Sequence, residues 1–317
     1  MIAGLKLHGG VVVAILLLLA FAPFIIDWID KPFYLDLVTR MVILAIAAAS
    51  LNLILGYGGM ISFGHAAYLG IGAYSIGIPA YYGEYDGLYQ LAITIIACGS
   101  FSLLTGYVCL RTKGVYFIMI TLAFAQMMFF ALVSIEEYGA DDGLVIDLRS
   151  ELPFGFSLEN SVSMYYLCFF ILLFFLFIIH RLVNSRFGMV IRGSAVNDSR
   201  MQSLGFPTFR YRLLCFVIAG VMCGVAGWLL GNFTNFISPE MMDWTRSGEL
   251  IFMVVLGGAG SLFGPVLGTA AFVLIEEVLS GFTIYWQLYF GLFLVAVVLF
   301  VRGGLDGLLS KFSRSDK

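Results

Sequence analysis

The chain has 317 residues, of which 61% are hydrophobic and only 12% charged, and its mean hydropathy is strongly positive. Soluble domains carry about a quarter charged residues, so a water-soluble protein is excluded. The formal net charge of −3 says little, because the placement of charge along the chain carries the information.

Apolar blocks recur along the whole length, and a helix needs about 20 such residues to cross the hydrocarbon core. The blocks are continuous rather than alternating, which argues for helices and against an outer-membrane barrel. The first block, 11–26, follows Lys6 and contains Ala20-Phe21-Ala22, the pattern of a signal-peptide cleavage site. Pro23 follows directly and the apolar run continues to Ile26, so a retained first span is expected. Further spans are expected at 33–55, 61–82, 88–110, 114–134, 162–183, 211–236 and 284–301. The segment 248–280, about 33 residues, is too long for one ordinary span. Gly257-Gly258-Ala259-Gly260-Ser261-Leu262-Phe263-Gly264-Pro265 interrupts it, so it reads as two short helices. The expected architecture is an all-α integral membrane protein, a polytopic bundle of about ten membrane elements including broken or short helices.

The glycine-punctuated run from Gly56 to Gly72 contains Gly56, Gly58, Gly59, Ser62, Gly64 and His65. In a bilayer, non-helical backbone is tolerated only where protein covers it or a watery cavity meets it. The run therefore points to a protein with an interior, and to transport through it. It resembles the later break, with Leu55-Gly56 and Phe63-Gly64 set against Leu256-Gly257 and Phe263-Gly264. Transporters contain internal repeats whose broken helices converge on a substrate site; chance similarity of glycine-rich sequence is the alternative.

His65 is the one His embedded beside a break, and an intramembrane ionisable residue is a functional hypothesis. Its readings are a neutral ring hydrogen-bonded to a freed backbone carbonyl, a proton relay, or a substrate contact. Ser62 reads as a cap for a helix starting near Phe63, or as a substrate contact. Thr121 and Gln126 are polar positions in the span 114–134, suited to bonding across helices or facing a pathway. Glu249, Glu276 and Glu277 read as solvated helix ends, with gating or substrate attraction as the other reading. Gly220, Gly224, Gly227 and Gly231 share one helical face, and Ala66/Gly70 and Ala73/Gly77 repeat the small-xxx-small spacing. Such stripes let backbones approach closely, so packing is expected of them. The five cysteines form no CxxC pair and read as small buried hydrophobes, with no metal or cofactor implied.

Orientation follows from basic residues. With the N-terminus cytoplasmic, all but Lys31, Arg40, Arg149 and Arg246 of the 17 Lys and Arg residues collect on the inner side. Those inner residues include Lys6, Arg111, Lys113, Arg302, Lys311, Arg314 and Lys317. Splitting 248–280 keeps the basic C-terminus on that side too. The connection 135–160 is then external and acidic, and 184–210 is internal and carries Arg186, Arg192, Arg200 and Arg210. Neither looks like a separate domain, so 1–317 reads as one transmembrane domain. No G-x-x-x-x-G-K-[ST] loop is present, so the chain is not expected to hydrolyse ATP. H-E-x-x-H and G-x-S-x-G are missing as well, which leaves a membrane-embedded enzyme without support.

Four ordered blocks resemble the branched-chain amino acid ABC transporter permeases of the LivM type. The first runs from Leu51-Asn52-Leu53 through Gly56-Tyr57-Gly58-Gly59 to Ser62-Phe63-Gly64-His65-Ala66-Ala67. The second is Lys113-Gly114-Val115-Tyr116-Phe117 with Thr121-Leu122-Ala123-Phe124-Ala125-Gln126. The third runs from Ser185-Arg186-Phe187-Gly188 through Leu204-Gly205 to Tyr211-Arg212. The fourth joins Ser238-Pro239-Glu240, Ser247-Gly248-Glu249, Val254-Val255-Leu256-Gly257-Gly258 and Gly264-Pro265-Val266-Leu267-Gly268.

The resemblance implies a type II ABC-importer-like permease of the bacterial inner membrane. It would pair with a second homologous permease, two cytoplasmic ATP-binding subunits and a periplasmic substrate-binding protein. It also implies that 194–205 is a coupling helix, with Asn197, Arg200, Leu204 and Gly205 kept and Met201-Gln202-Ser203 where relatives often have Ala-Glu-Ala. The glycines 56, 58, 59, 64, 257, 258, 260 and 264, with Ser62, His65 and Gln126, would line or hinge the path. A urea or amide permease of the same family and a stand-alone secondary transporter are the rival readings.

Overall fold

The computed structural model describes residues 5–29, 31–152, 156–300, 303–305 and 307. The basic positions Arg302, Lys311, Arg314 and Lys317 lie outside the described residues, as does the side chain of Lys6.

The first half comprises α1 (Leu5–Ile29), α2 (Pro32–Asn52), α3 (His65–Tyr81), α4 (Gly87–Cys109) and α5 (Val115–Val133). The second half comprises α6 (Ser161–Val183), α7 (Arg186–Val196), α8 (Asp198–Ser203), α9 (Thr208–Thr234), α10 (Trp244–Gly257), α11 (Gly264–Phe282) and α12 (Trp286–Phe300). Asp or Asn begins four of these helices with a side-chain cap: Asp86, Asn160, Asn197 and Asp243 accept from Leu88, Val162, Arg200 and Thr245 N–H groups.

Six helices are long and apolar enough to cross a membrane, with α2 counted through Tyr57. The helices α1, α3, α10 and α12 complete the ten elements expected. The 248–280 segment is divided as its glycines require, between α10 and α11. The first break falls later than expected, because α2 continues as a π-turn over Leu53–Tyr57 and α3 starts at His65 rather than near Phe63.

The core forms around α2, α3 and α9. The α9 glycine stripe packs against α3 and α4: a Cβ on Gly224 would strike Cys98, and one on Gly227 would strike the Leu69 carbonyl. Gly72 of α3 meets the Gly224 carbonyl in the same way, so these backbones are in contact. Gly70 and Gly77 behave differently, since they receive side chains, Met242 at the first and Ile237 and Leu144 at the second. Against this core α2 also packs on α6, α10 and α11.

Several hydroxyls in the spans bond to their own helices. Thr39 donates to Leu35 O, Ser75 to Ile71 O and Thr94 to Gln90 O. That is how a hydroxyl is accommodated where no water is available. All five cysteines are buried and free, and three donate to backbone carbonyls: Cys98 Sγ to Tyr68 O, Cys215 Sγ to Leu53 O and Cys223 Sγ to His65 O.

The two long connections lie at opposite ends of α6, a helix about 35 Å long at 1.5 Å per residue. The acidic loop 135–160 is pinned down. Its strand β1 (Leu144–Val145) pairs antiparallel with β4 (Phe236–Ile237), while β2 (Glu151–Leu152) pairs with β3 (Phe156–Ser157). Ser150 Oγ bonds to Gln90 and Asn232, and Arg149 Nη1 donates to Leu158 O at 2.7 Å. The basic connection holds α7 and α8. Residues Gly188, Val190, Ile191 and Ser194 form the buried face of α7, which seats that helix against the bundle.

Candidate functional site

The two glycine breaks meet. Asn52, in the last turn of α2, spans them: its Nδ2 donates to Ser261 O at 2.7 Å and its Oδ1 accepts from Gly260 N at 2.9 Å. A Cβ on Gly56 would collide with Asn52 Oδ1 and with Gly260 N, so glycine is what lets the second break lie against the π-turn. Asn52 is therefore the central residue of the site. Its sequence gave no cue beyond membership in a familiar block, because the partners lie 208 and 209 residues away.

Broken helices expose N–H groups that need acceptors, and each break finds them in its own turn or on neighbouring helices. In the first, Gly59 N donates to Leu55 O and Met60 N to Ile54 O, which closes the π-turn. Phe63 N donates to Thr121 Oγ1 on α5 at 3.2 Å, Gly64 N to Ser62 Oγ at 3.2 Å, and Ala66 N to Ser247 Oγ on α10 at 2.9 Å. Ser62 thus caps the turn before α3, while Ser247 caps α3 itself. In the second break, Gly258 N donates to Val254 O and Gly264 N to Ser261 Oγ. Gly257 sits where a Cβ would strike the Gly264 carbonyl, so α10 and α11 fold back on each other in backbone contact.

His65 is fully buried, and its Nε2 lies 2.8 Å from Ser50 Oγ. The Ser50 hydroxyl donates to Ala47 O, so it accepts from His65 and Nε2 carries the proton. The freed carbonyl expected as partner is replaced by a hydroxyl on α2. His65 Nδ1 has no hydrogen-bond partner among the described residues. The ring ties α3 to α2 and packs edge-on against Tyr68.

Gln126 does not join the breaks. Its Nε2 is buried without a partner among the described residues. Gly58 and Gly59, by contrast, face the basic connection. Together with Met60 and Ile61 they line a 280 Å³ cavity whose other wall includes Lys113, Ser194, Ala195, Asp198 and Arg212. Gly59 has φ +63°, and a Cβ there would lie 3.2 Å from Ala195 Cβ. The last turn of α7 is therefore in contact with the first break.

Lys113 Nζ pairs with Asp198 Oδ2 at 2.7 Å, joining the α4–α5 turn to α8. Burial alone would push the Asp198 carboxyl up, but hydrogen bonds from Lys113 and Thr208 and the charges of Lys113 and Arg212 hold it below the ordinary carboxylate value. Asn197, Arg200, Leu204 and Gly205 are all exposed, and Val196 and Phe206 expose apolar surface beside them. Among the described residues no group of three or more His, Cys, Asp or Glu is arranged to hold a metal ion.

A bundle of this kind, with two apposed intramembrane breaks and an exposed helical connection touching one of them, has the parts of a permease. Residues 33–302 match the family model described as the branched-chain amino acid transport system permease component. The chain belongs to this family. It is similar to the high-affinity branched-chain amino acid transport system permease protein LivM of Escherichia coli, at 25% identity over 293 residues, covering 85% of this chain and 69% of that protein. The LivM protein of Salmonella typhimurium gives 24% identity over the same length and coverage. The LivH permease protein of Escherichia coli matches at 32% over 125 residues, 39% of this chain and 40% of that one. No solved structure gives a significant match. Family and fold together make this a multi-pass membrane transport permease.

Proposed function

We propose that the chain is the transmembrane subunit of an ATP-driven importer for branched-chain or related small amino acids. In this reading it is one permease domain in the bacterial inner membrane, with both termini cytoplasmic, the 135–160 loop outside and the 184–210 connection inside. It works with a second homologous permease, two cytoplasmic ATP-binding subunits and a periplasmic substrate-binding protein.

The observation that carries the reading is the contact between Ala195 and Gly59, which puts the basic connection directly on an intramembrane break. Exposed Val196, Leu204 and Phe206 supply apolar surface for an ATPase, with Arg200 beside them. Movement of α7 and α8 would reach Gly58 and Gly59 first, then the second break through Asn52. Gly56, Ser62, Gly64, His65, Gly257, Gly258, Gly260 and Gly264 would line or hinge the path, and Gln126 would face it from α5. Nucleotide drives such a cycle through differential affinity of the assembly for inward- and outward-facing states.

Co-purification tests the docking role. Leu204→Glu places a charge in the exposed apolar surface, and it is expected to abolish recovery of the ATP-binding subunits while membrane insertion is unchanged. Recovery equal to the unaltered chain would refute the docking role.

A further inference from the structure

The 280 Å³ cavity beside the first break has an unbalanced positive lining. Its titratable residues are Lys113, Asp198 and Arg212, two cations against one carboxylate. Lys113 comes from the α4–α5 turn, Asp198 from the start of α8 and Arg212 from the start of α9. Lys113 uses one of its three N–H donors on Asp198 Oδ2. Arg212 forms no ion pair among the described residues, and its Nε is buried there without a hydrogen-bond partner. Asp198 Oδ1 is the second such atom in the same wall. A buried polar atom left unmatched costs about 1–3 kcal/mol, so a free donor and a free acceptor facing one cavity point to a ligand that offers both complements.

The end of α5 strengthens the case for an anion. Gly114 precedes this helix with φ +62°, no side chain caps it, and the space where a Cβ would stand is open. The first N–H to find a helical acceptor is that of Ile118, which reaches Gly114 O at 3.4 Å. Gly114, Phe117 and Ile118 line the cavity, so the unsatisfied first turn of a 19-residue helix opens onto it. The two hydroxyls in the wall add no donors, because Thr112 Oγ1 donates to Cys109 O and Ser194 Oγ to Ile191 O. The donors left are those of Arg212, Lys113 and the α5 backbone, and their net charge suits a monoanion.

The surroundings of the cavity are apolar. Ile61, in its wall, is 45% exposed, and α5 leaves it with Val115, Tyr116 and Met119 exposed. That helix is the least buried of the six long apolar spans. A ligand carrying hydrocarbon chains would cover this surface, and a free headgroup would leave it bare.

We propose that this cavity binds a phosphodiester bearing a free hydroxyl, as in a glycerol headgroup. Arg212 and the α5 N-terminus hold the phosphate, Lys113 adds charge, and Asp198 Oδ1 accepts from the hydroxyl. The bound group ties α5, α8 and α9 together beneath the first break. The site stands or falls independently of the importer reading.

Native mass spectrometry of the full chain in detergent, titrated with phosphatidylglycerol, tests this. One tight binding event is expected. Phosphatidylethanol lacks the hydroxyl and phosphatidylcholine lacks both the hydroxyl and the net charge; each should bind about tenfold more weakly or worse. Arg212→Gln should weaken phosphatidylglycerol about tenfold or more, whereas Arg210→Gln, an exposed cation outside the cavity, should leave it unchanged. Asp198→Ala should erase the preference for phosphatidylglycerol over phosphatidylethanol. Equal binding of all three lipids, or equal weakening by Arg210→Gln and Arg212→Gln, overturns the site. Should the variants fail to fold, the lipid series on the unaltered chain decides alone. Glycerophosphoglycerol, the same headgroup without chains, separates the sources. Failure to displace the lipid even in large excess supports a lipid occupant; displacement at equal concentration supports a soluble phosphodiester in the same site.

Discussion

The two glycine breaks share a spacing, Leu55-Gly56 to Phe63-Gly64 and Leu256-Gly257 to Phe263-Gly264, yet they fold differently. The first widens into a π-turn and runs on through seven residues, 58–64, before α3 begins. Its N–H groups draw on α5 and α10 as well as on itself, and its glycines open onto the cavity beside α7. The second is a tight fold-back in which α10 and α11 touch through Gly257, Gly264 and Gly268. One break is held by many neighbours and reaches the exposed connection at α7; the other is held mainly by its own backbone. The same glycine spacing therefore supports an open turn held by several helices in one place and a tight fold-back in the other, and Asn52 bonds the second to the end of α2.

The largest effect should come from the fold-back. Gly257→Val drives a branched side chain into the Gly264 carbonyl and should cost roughly 3 kcal/mol or more by overpacking. Loss of monodisperse protein on size-exclusion chromatography checks it. A variant as stable as the parent would show that the fold-back yields.

Next is the tie between the breaks. Asn52→Leu leaves Gly260 N–H and Ser261 C=O without partners, at about 1–3 kcal/mol for each orphaned group. The thermal midpoint should fall, and uptake should fall further than stability alone explains. An unchanged midpoint would mean that the breaks hold their apposition without Asn52.

The smallest stability effect is expected at the open turn. Gly59→Ala carries about 1–2 kcal/mol of left-handed backbone strain and meets Ala195 at 3.2 Å. The protein should remain folded and lose uptake. Full uptake would remove Gly59 from the account.

Much of the fold was legible in the sequence, because hydrophobic length and glycine punctuation are local signals. The division of 248–280 and the seating of 184–210 at the far end of α6 from the acidic loop both follow from them. Side-chain pairing across the chain was not legible. Asn52 with Gly260, Ser50 with His65 and Ser247 with Ala66 N–H are separated by 208, 15 and 181 residues, and no periodicity announces them. The π-turn was hidden for a related reason: its extra residue is stabilised by what packs on Gly56. Close packing was expected of the Gly220–Gly231 stripe, but not which helix it would meet; on α3 the glycine against the Gly224 carbonyl is Gly72, outside the Ala66/Gly70 and Ala73/Gly77 spacing. Spacing gives a face, and only packing selects which small residue on it meets a backbone.

If, as proposed, movement enters the bundle through α7 and α8, then α8 must shift against the α4–α5 turn to which it is tied. Lys113 and Asp198 mark that joint, so Lys113→Cys and Asp198→Cys together can be bridged by a short thiol-specific cross-linker and released by reductant. The native cysteines are all buried. The account predicts that ATP-driven uptake stops while the bridge is closed and returns on reduction. Uptake at the uncrosslinked rate with the bridge fully formed would contradict it.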